Sequence, residues 1–169
     1  MEKIIVNTET IISSLFLLGF DKVDSVLFTL IQGNIKSILS KKYYDIEFNN
    51  TFYNCELIFA SDKPFSHVFE KCIDDNGVYF SLSEKYSLDT DVSKYLGLED
   101  YMYTLREYLG RNNNARLLSI LINDYIDMSE IVKIKLNQVG RENIELFSKK
   151  ELEIISNLTS YQKKKLYSN

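Results

Sequence analysis

Enzymes draw heavily on histidine and cysteine, and this chain has one histidine and two cysteines. A Ser-His or Cys-His hydrolase would have to use His67. Residues 65–73 read as a short helix after Pro64, with His67 on its polar side and Cys72 roughly 140° around from it at helical spacing. The two do not face each other, so the plain reading is a surface histidine. Cys55, His67 and Cys72 lack the CxxC or HxxxH spacing of a metal site, and the cysteines read as core residues. The turn "DDNG" (74–77) superficially fits a calcium loop, but Cys72 and Ser83 would occupy the two end ligand positions, where neither serves. Walker A, GxGxxG and GxSxG patterns are also missing. No cofactor and no metal are therefore expected.

Other shortages bear on architecture. One proline and six glycines leave little material for long irregular linkers. The only long apolar run, Ile11–Phe20, is interrupted by Ser13, Ser14 and Gly19. It is too short to span a bilayer, and acids precede it where a secretory signal would carry bases. The run is expected to be a buried helix and the chain cytoplasmic, with Cys55 and Cys72 as reduced thiols.

What is present fits a globular protein: 169 residues, 45% apolar and 26% charged. That length suits a single domain able to bury most of its apolar surface without a staple. Charge is uneven. Residues 1–130 hold 20 acids and 12 bases, a net of −8; residues 131–169 hold 4 acids and 8 bases, a net of +4. An acidic body disfavours nucleic acid and favours basic partners. Lys163, Lys164 and Lys165 form the one nucleic-acid-like feature, and at a helix end they complement the helix dipole.

Periodicity predicts an α+β fold: a helix-rich chain with a small, mainly antiparallel sheet over about 43–82 and a helical C-terminal half. A first helix is expected over 9–18, capped by Thr8 and ended by Gly19. A second is expected over 22–40, capped by Asp21, with Val23, Val26, Leu27, Leu30 and Ile31 on its inner face. "YYDIEF" and "TFYNCELIFA" read as two strands around an Asn49–Asn50 turn. Tyr53, Cys55, Leu57 and Phe59 would form the core face of the second strand. In the helix after Pro64, the inner face would hold Phe65, Val68, Phe69, Cys72 and Ile73. "VYFSL" (78–82) reads as a third strand. Helices follow over 98–109 and 114–127. Residues 131–147 fit either a hairpin or, preferred, a helix broken at Gly140. The last helix starts with a capping box of Ser148 and Glu151, and Phe147 with Leu152 suits a hydrophobic staple.

Two candidate sites emerge. Asp124 falls among Leu117, Ile120 and Leu121 on a helical wheel, so it is expected to be a buried carboxylate paired with Arg106, Arg111 or Arg116. On the helix over 98–109, Tyr101 and Tyr108 flank an apolar arc, whereas Tyr103 points outward between Glu99 and Glu107, beside Asp100. An exposed aromatic among acids supplies an anchor and electrostatic steering for a basic protein. Glu99, Asp100, Tyr103 and Glu107 are thus the candidate partner-binding face.

The function expected from these features is non-enzymatic inhibition by binding. The best-fitting form is a bacterial immunity protein that pairs with a basic toxin domain, such as a nuclease, as a heterodimer and occludes its active site. One rival is a nucleic-acid-binding regulator or phage host-takeover protein using the basic segment 131–169. Another is a metal-dependent hydrolase built from scattered carboxylates such as Asp45, Glu47, Asp74, Asp89, Asp91 and Asp124.

Overall fold

The computed structural model describes residues 2–55, 69–82 and 113–167. In chain order these form β1 (Glu2–Val6), α1 (Thr8–Leu17), β2 (Lys22–Asp24), α2 (Ser25–Leu39) and β3 (Tyr43–Phe48), followed by a 3-10 turn (Phe52–Asn54). Then come β4 (Phe69–Asp74), β5 (Gly77–Leu82), α3 (Asn113–Tyr125), α4 (Met128–Val139), a second 3-10 segment (Arg141–Leu146) and α5 (Lys149–Tyr167). The fold is α+β: helix-rich, with an antiparallel sheet in the order β2-β5-β4, a separate parallel pair β1-β3, and a helical C-terminal half.

The apolar run becomes α1, which packs chiefly on α3. It is buried on almost every side, serines included. This is tolerable because Ser13 and Ser14 donate their hydroxyl protons to the carbonyls of Glu9 and Thr10, at 2.7 and 2.8 Å. A buried hydroxyl that finds a carbonyl avoids the cost of an unmade hydrogen bond. The cap of α1 is Asn7 and not Thr8: the Asn7 side chain accepts from the Thr10 N–H.

Thr8 has another task. Its N–H donates to Asn49 Oδ1 at 3.0 Å and its hydroxyl to the Asn50 carbonyl at 2.7 Å. The Asn49–Asn50 pair therefore holds the start of α1 and does not turn a hairpin. β3 runs parallel to β1, with Ile4 opposite Ile46 and Val6 opposite Phe48. Residues 52–54 coil into a 3-10 turn, so the buried pair is Phe52 and Cys55, three apart, while Tyr53 is exposed. The Phe52 ring lies 4.9 Å from Phe28 and 5.2 Å, edge-on, from Phe80, joining α2 to β5.

Two stretches expected as helix are strand. Lys22–Asp24 pairs with β5, setting Val23 opposite Phe80, and both are buried. Helix α2 starts only at Ser25, capped by Asp24, whose Oδ1 accepts from the Leu27 N–H at 2.8 Å. Asp21 instead accepts from the Lys149 N–H at 3.0 Å, at the start of α5. Phe69–Asp74 is the edge strand of a hairpin with β5, with Asp74 opposite Gly77 and Asp75–Asn76 as the loop. Gly77 has φ +114°, a conformation side chains rarely adopt, which suits it to close this turn. The expected inner-face residue Ile73 is 78% exposed. The remaining expectations over 56–68 and 83–112, His67 and the helix over 98–109 among them, lie outside the described residues.

The C-terminal half follows its sequence signals closely. α4 ends at Gly140, where φ is +92° and a Cβ would meet Glu142 Oε1 at 2.9 Å. The capping box forms in both directions: Ser148 N–H donates to Glu151 Oε1 at 3.0 Å, and Glu151 N–H donates to Ser148 Oγ at 3.2 Å. Asp124 is a correction. It lies on the solvent side of α3 and accepts from the Asn123 amide at 2.9 Å, because the buried arc is Ala115, Leu118, Leu121 and Ile122.

Among the described residues the buried cation is Lys135, with no accessible surface. Its ammonium meets Asp24 Oδ2 at 2.7 Å and Glu151 Oε2 at 2.8 Å, and donates to the Leu146 carbonyl at 3.3 Å. It also lies 4.7 Å from the Phe147 ring centroid. Among the described residues the ammonium is the sole partner of Glu151 Oε2.

Removing one member of such a group leaves charge uncompensated. Lys135→Met is expected to cost about 3–5 kcal/mol in urea denaturation, and Lys135→Met/Glu151→Gln to recover only part of it, because Asp24 keeps its charge without the ammonium. A single variant within 1 kcal/mol of wild type, by the order of surface pairs, would contradict the assignment. Burial pushes the Glu151 carboxyl above its ordinary 4.5, against the opposing pull of Lys135 and the Ser148 N–H. Between 4.5 and the raised folded value the unfolded chain ionises first, so the native state holds the extra proton. Native stability therefore falls as pH rises through that window. The Tm of wild type minus that of Glu151→Gln should be greatest near pH 4 and decline toward pH 7.

Candidate partner-binding groove

Strand register sorts the three-stranded sheet into two faces. Residues directly opposite across antiparallel strands share a face, as do alternate residues along one strand. Asp24, Tyr79 and Cys72 are aligned across β2, β5 and β4, and Lys22, Ser81 and Glu70 form the next row. Asp74 continues that face along β4. The opposite face carries Val23 and Phe80 into the core, so the polar set necessarily points away from it.

Above part of this polar face lies a groove of about 270 Å³. Lys22 and Asp24 line one side, Asp74 and Tyr79 another, and Asn143 and Leu146 of the 3-10 segment close it. The segment is held in place locally: Asn143 Nδ2 donates to the Val139 carbonyl at 2.8 Å. The Lys22 ammonium sits 4.5 Å from the Tyr79 ring centroid and donates to the Glu145 carbonyl at 3.5 Å. Asp74 Oδ1 accepts from the Asn76 N–H at 2.8 Å, which orients its carboxylate at the hairpin turn. Asp24 contributes to the groove wall and to the Lys135 ion pair together, with 17% of its side chain exposed.

The electrostatics of this face favour cations. Three carboxylates, Asp24, Glu70 and Asp74, share it with the Lys22 ammonium; the buried Lys135 ammonium already meets Asp24 at 2.7 Å, so the excess negative charge rests on Glu70 and Asp74. Burial raises the Tyr79 phenol above its usual 10, and the Cys72 thiol, Asp74 and Glu70 push it further in the same direction. Each of these groups resists a second negative charge there. The Cys72 sulfur also lies 3.7 Å from Ser81 Oγ.

The residues proposed from sequence as the binding face, Glu99, Asp100, Tyr103 and Glu107, lie outside the described residues. The groove was missed because Lys22–Asp24 reads as helix, which dissolves the row with Tyr79. The detectable signal was the alternation in "FEKCID" and "GVYFSL" on either side of a two-residue turn. Lys135 was missed as well, although it stands four residues after Ile131, on the arc that Val132 also occupies. Of the scattered carboxylates, Asp45 and Glu47 are on β3, Asp74 is at the hairpin turn and Asp124 is on α3. Among the described residues, no three histidine, cysteine or acidic side chains are grouped to hold a metal ion. Cys55 is buried, Cys72 is half-buried, and neither is in a disulfide. Among the described residues no helix is long and apolar enough to cross a membrane.

No known protein family, curated protein or solved structure matches the chain.

The environment of Tyr79 gives a direct check. With tyrosine Cζ carbons labelled by 13C, the Tyr79 resonance should titrate with a midpoint above 10. Cys72→Ala should bring that midpoint down, since the thiol is one of its causes. A Tyr79 midpoint at or below 10 would contradict the packing described.

Proposed function

We propose that the protein is a non-enzymatic, protein-binding inhibitor. Its best-fitting role is that of an immunity protein in the bacterial cytosol, neutralising a basic toxin domain by covering its active site. The observation that carries this reading is the acidic, tyrosine-bearing groove on the outer face of the β2-β5-β4 sheet. The charge of residues 1–130, net −8, supports it, because a basic cleft would be steered toward such a body. Occlusion needs no chemistry from the inhibitor. It needs a rigid surface, anchors that fill pockets on the partner, and charges of the opposite sign. A sheet backed by Val23 and Phe80 supplies the rigidity, and Tyr79 and the surrounding acids supply the recognition chemistry.

The segment with Glu99, Asp100, Tyr103 and Glu107 belongs to this proposal as a second contact region. The test is a tagged pull-down from the native organism, washed at moderate salt and read by mass spectrometry. A stoichiometric basic protein is the expected result. Nucleic acid alone in the eluate would overturn the reading in favour of a regulator working through segment 131–169. With the partner in hand, charge reversal at Glu99, Asp100 and Glu107 should slow association and flatten its salt dependence, both measurable by stopped flow. Unchanged kinetics would remove that face from the interface.

A further inference from the structure

The groove already holds a cation, and that cation belongs to the chain itself. The Lys22 ammonium lies over the Tyr79 ring at 4.5 Å, within the same groove that Asp24 and Asp74 line. We propose that Lys22 is a stand-in, and that the groove receives one arginine side chain from the basic partner, which displaces Lys22 from the face of Tyr79. This rests on the inhibitor reading for the partner's identity, but the groove chemistry can be tested without one.

Three features favour this occupant. The first is size: at about 270 Å³ the groove falls just short of typical ligand pockets, so it suits one long side chain better than a folded element. The second is charge. Once Lys22 swings out, Asp74 on β4 is left near the ring with its charge unmatched, since Asp24 is already paired with Lys135, and among the described residues lining the groove there is no other cation. The third is exchangeability. Among the described residues Lys22 is held by the ring and by a long 3.5 Å contact to a carbonyl, and it stands on a three-residue strand with solvent beside it. A guanidinium is planar, stacks on aromatic faces and is less strongly hydrated than an ammonium, so arginine has the advantage in the exchange.

The experiment uses the full chain and N-acetyl-arginine amide as probe, followed by 1H–15N spectra. The expected result is saturable shifts at Asn76, Val78, Tyr79 and Asn143. The neutral isostere N-acetyl-citrulline amide should give none. Lys22→Ala vacates the site and should tighten arginine binding about two- to fivefold, the range set by losing an exposed cation–π competitor. Lys36→Ala removes the same charge from the far end of α2 and should leave affinity unchanged. Asp74→Asn should weaken binding. The proposal is overturned by an absence of saturable shifts in both wild type and Lys22→Ala, by equal binding of citrulline, or by Lys36→Ala matching Lys22→Ala. The two readings fail separately. A captured basic partner indifferent to Asp74→Asn and Tyr79→Leu would remove the groove and leave the inhibitor. Saturable arginine binding with no captured partner would do the reverse.

Discussion

An ammonium group without water is the constraint around which this structure is arranged. Lys135 is fully buried, and a lysine in that position is tolerated only when opposite charge and hydrogen-bond acceptors surround it. Asp24, Glu151 and the Leu146 carbonyl supply them, each from a different part of the chain. Both carboxylates already have tasks at helix starts: Asp24 caps α2, and Glu151 closes the capping box of α5. Helix N-termini favour negative charge, so the two ends stabilise the acids that the lysine needs. One cation thereby fixes the beginnings of two helices against the body of a third.

The ion pair reaches the surface through Asp24. One oxygen accepts from α2, the other meets Lys135, and the residue also stands in the outer row of the sheet beside Tyr79. The groove wall is therefore as rigid as the buried charge beneath it. On the far side, the 3-10 segment gives its Leu146 carbonyl to Lys135 while lining the groove. For the proposed inhibitor role, a surface tied to buried charge in this way would lower the ordering cost of association.

Much of the local structure was legible in the chain. The Ser148–Glu151 box, the break at Gly140, the turn before "VYFSL" and the helix at the start of the C-terminal half are short-range features, set by bonds between residues two to four apart. Boundaries failed where a residue had two suitable jobs. Thr8, Asp21 and Asp24 can all cap a helix; Asn7 and Asp24 do so for the helices they precede, while Asp21 caps a helix 128 positions away. Asn49 and Asn50 suit a tight turn, yet they bind the start of α1. "FEKCID" carries apolar residues at helical spacing as well as in partial alternation, and only its pairing with β5 settles which pattern applies.

Short windows of the chain are enough to specify the class of object: an acidic α+β chain with helical punctuation written into its C-terminal half. Those properties depend on composition, periodicity and local hydrogen bonds, all of which are contained in short windows. Long-range packing sets that β1 and β3 run parallel, that three residues before α2 are strand, and that Lys135 and Glu151, not Asp124, are buried charges. Each of these depends on which distant surface a segment meets. A lysine on an apolar arc is destabilising until two carboxylates from other elements converge on it. Likewise, Tyr79 and Lys22 become one site only because β2 and β5 lie side by side.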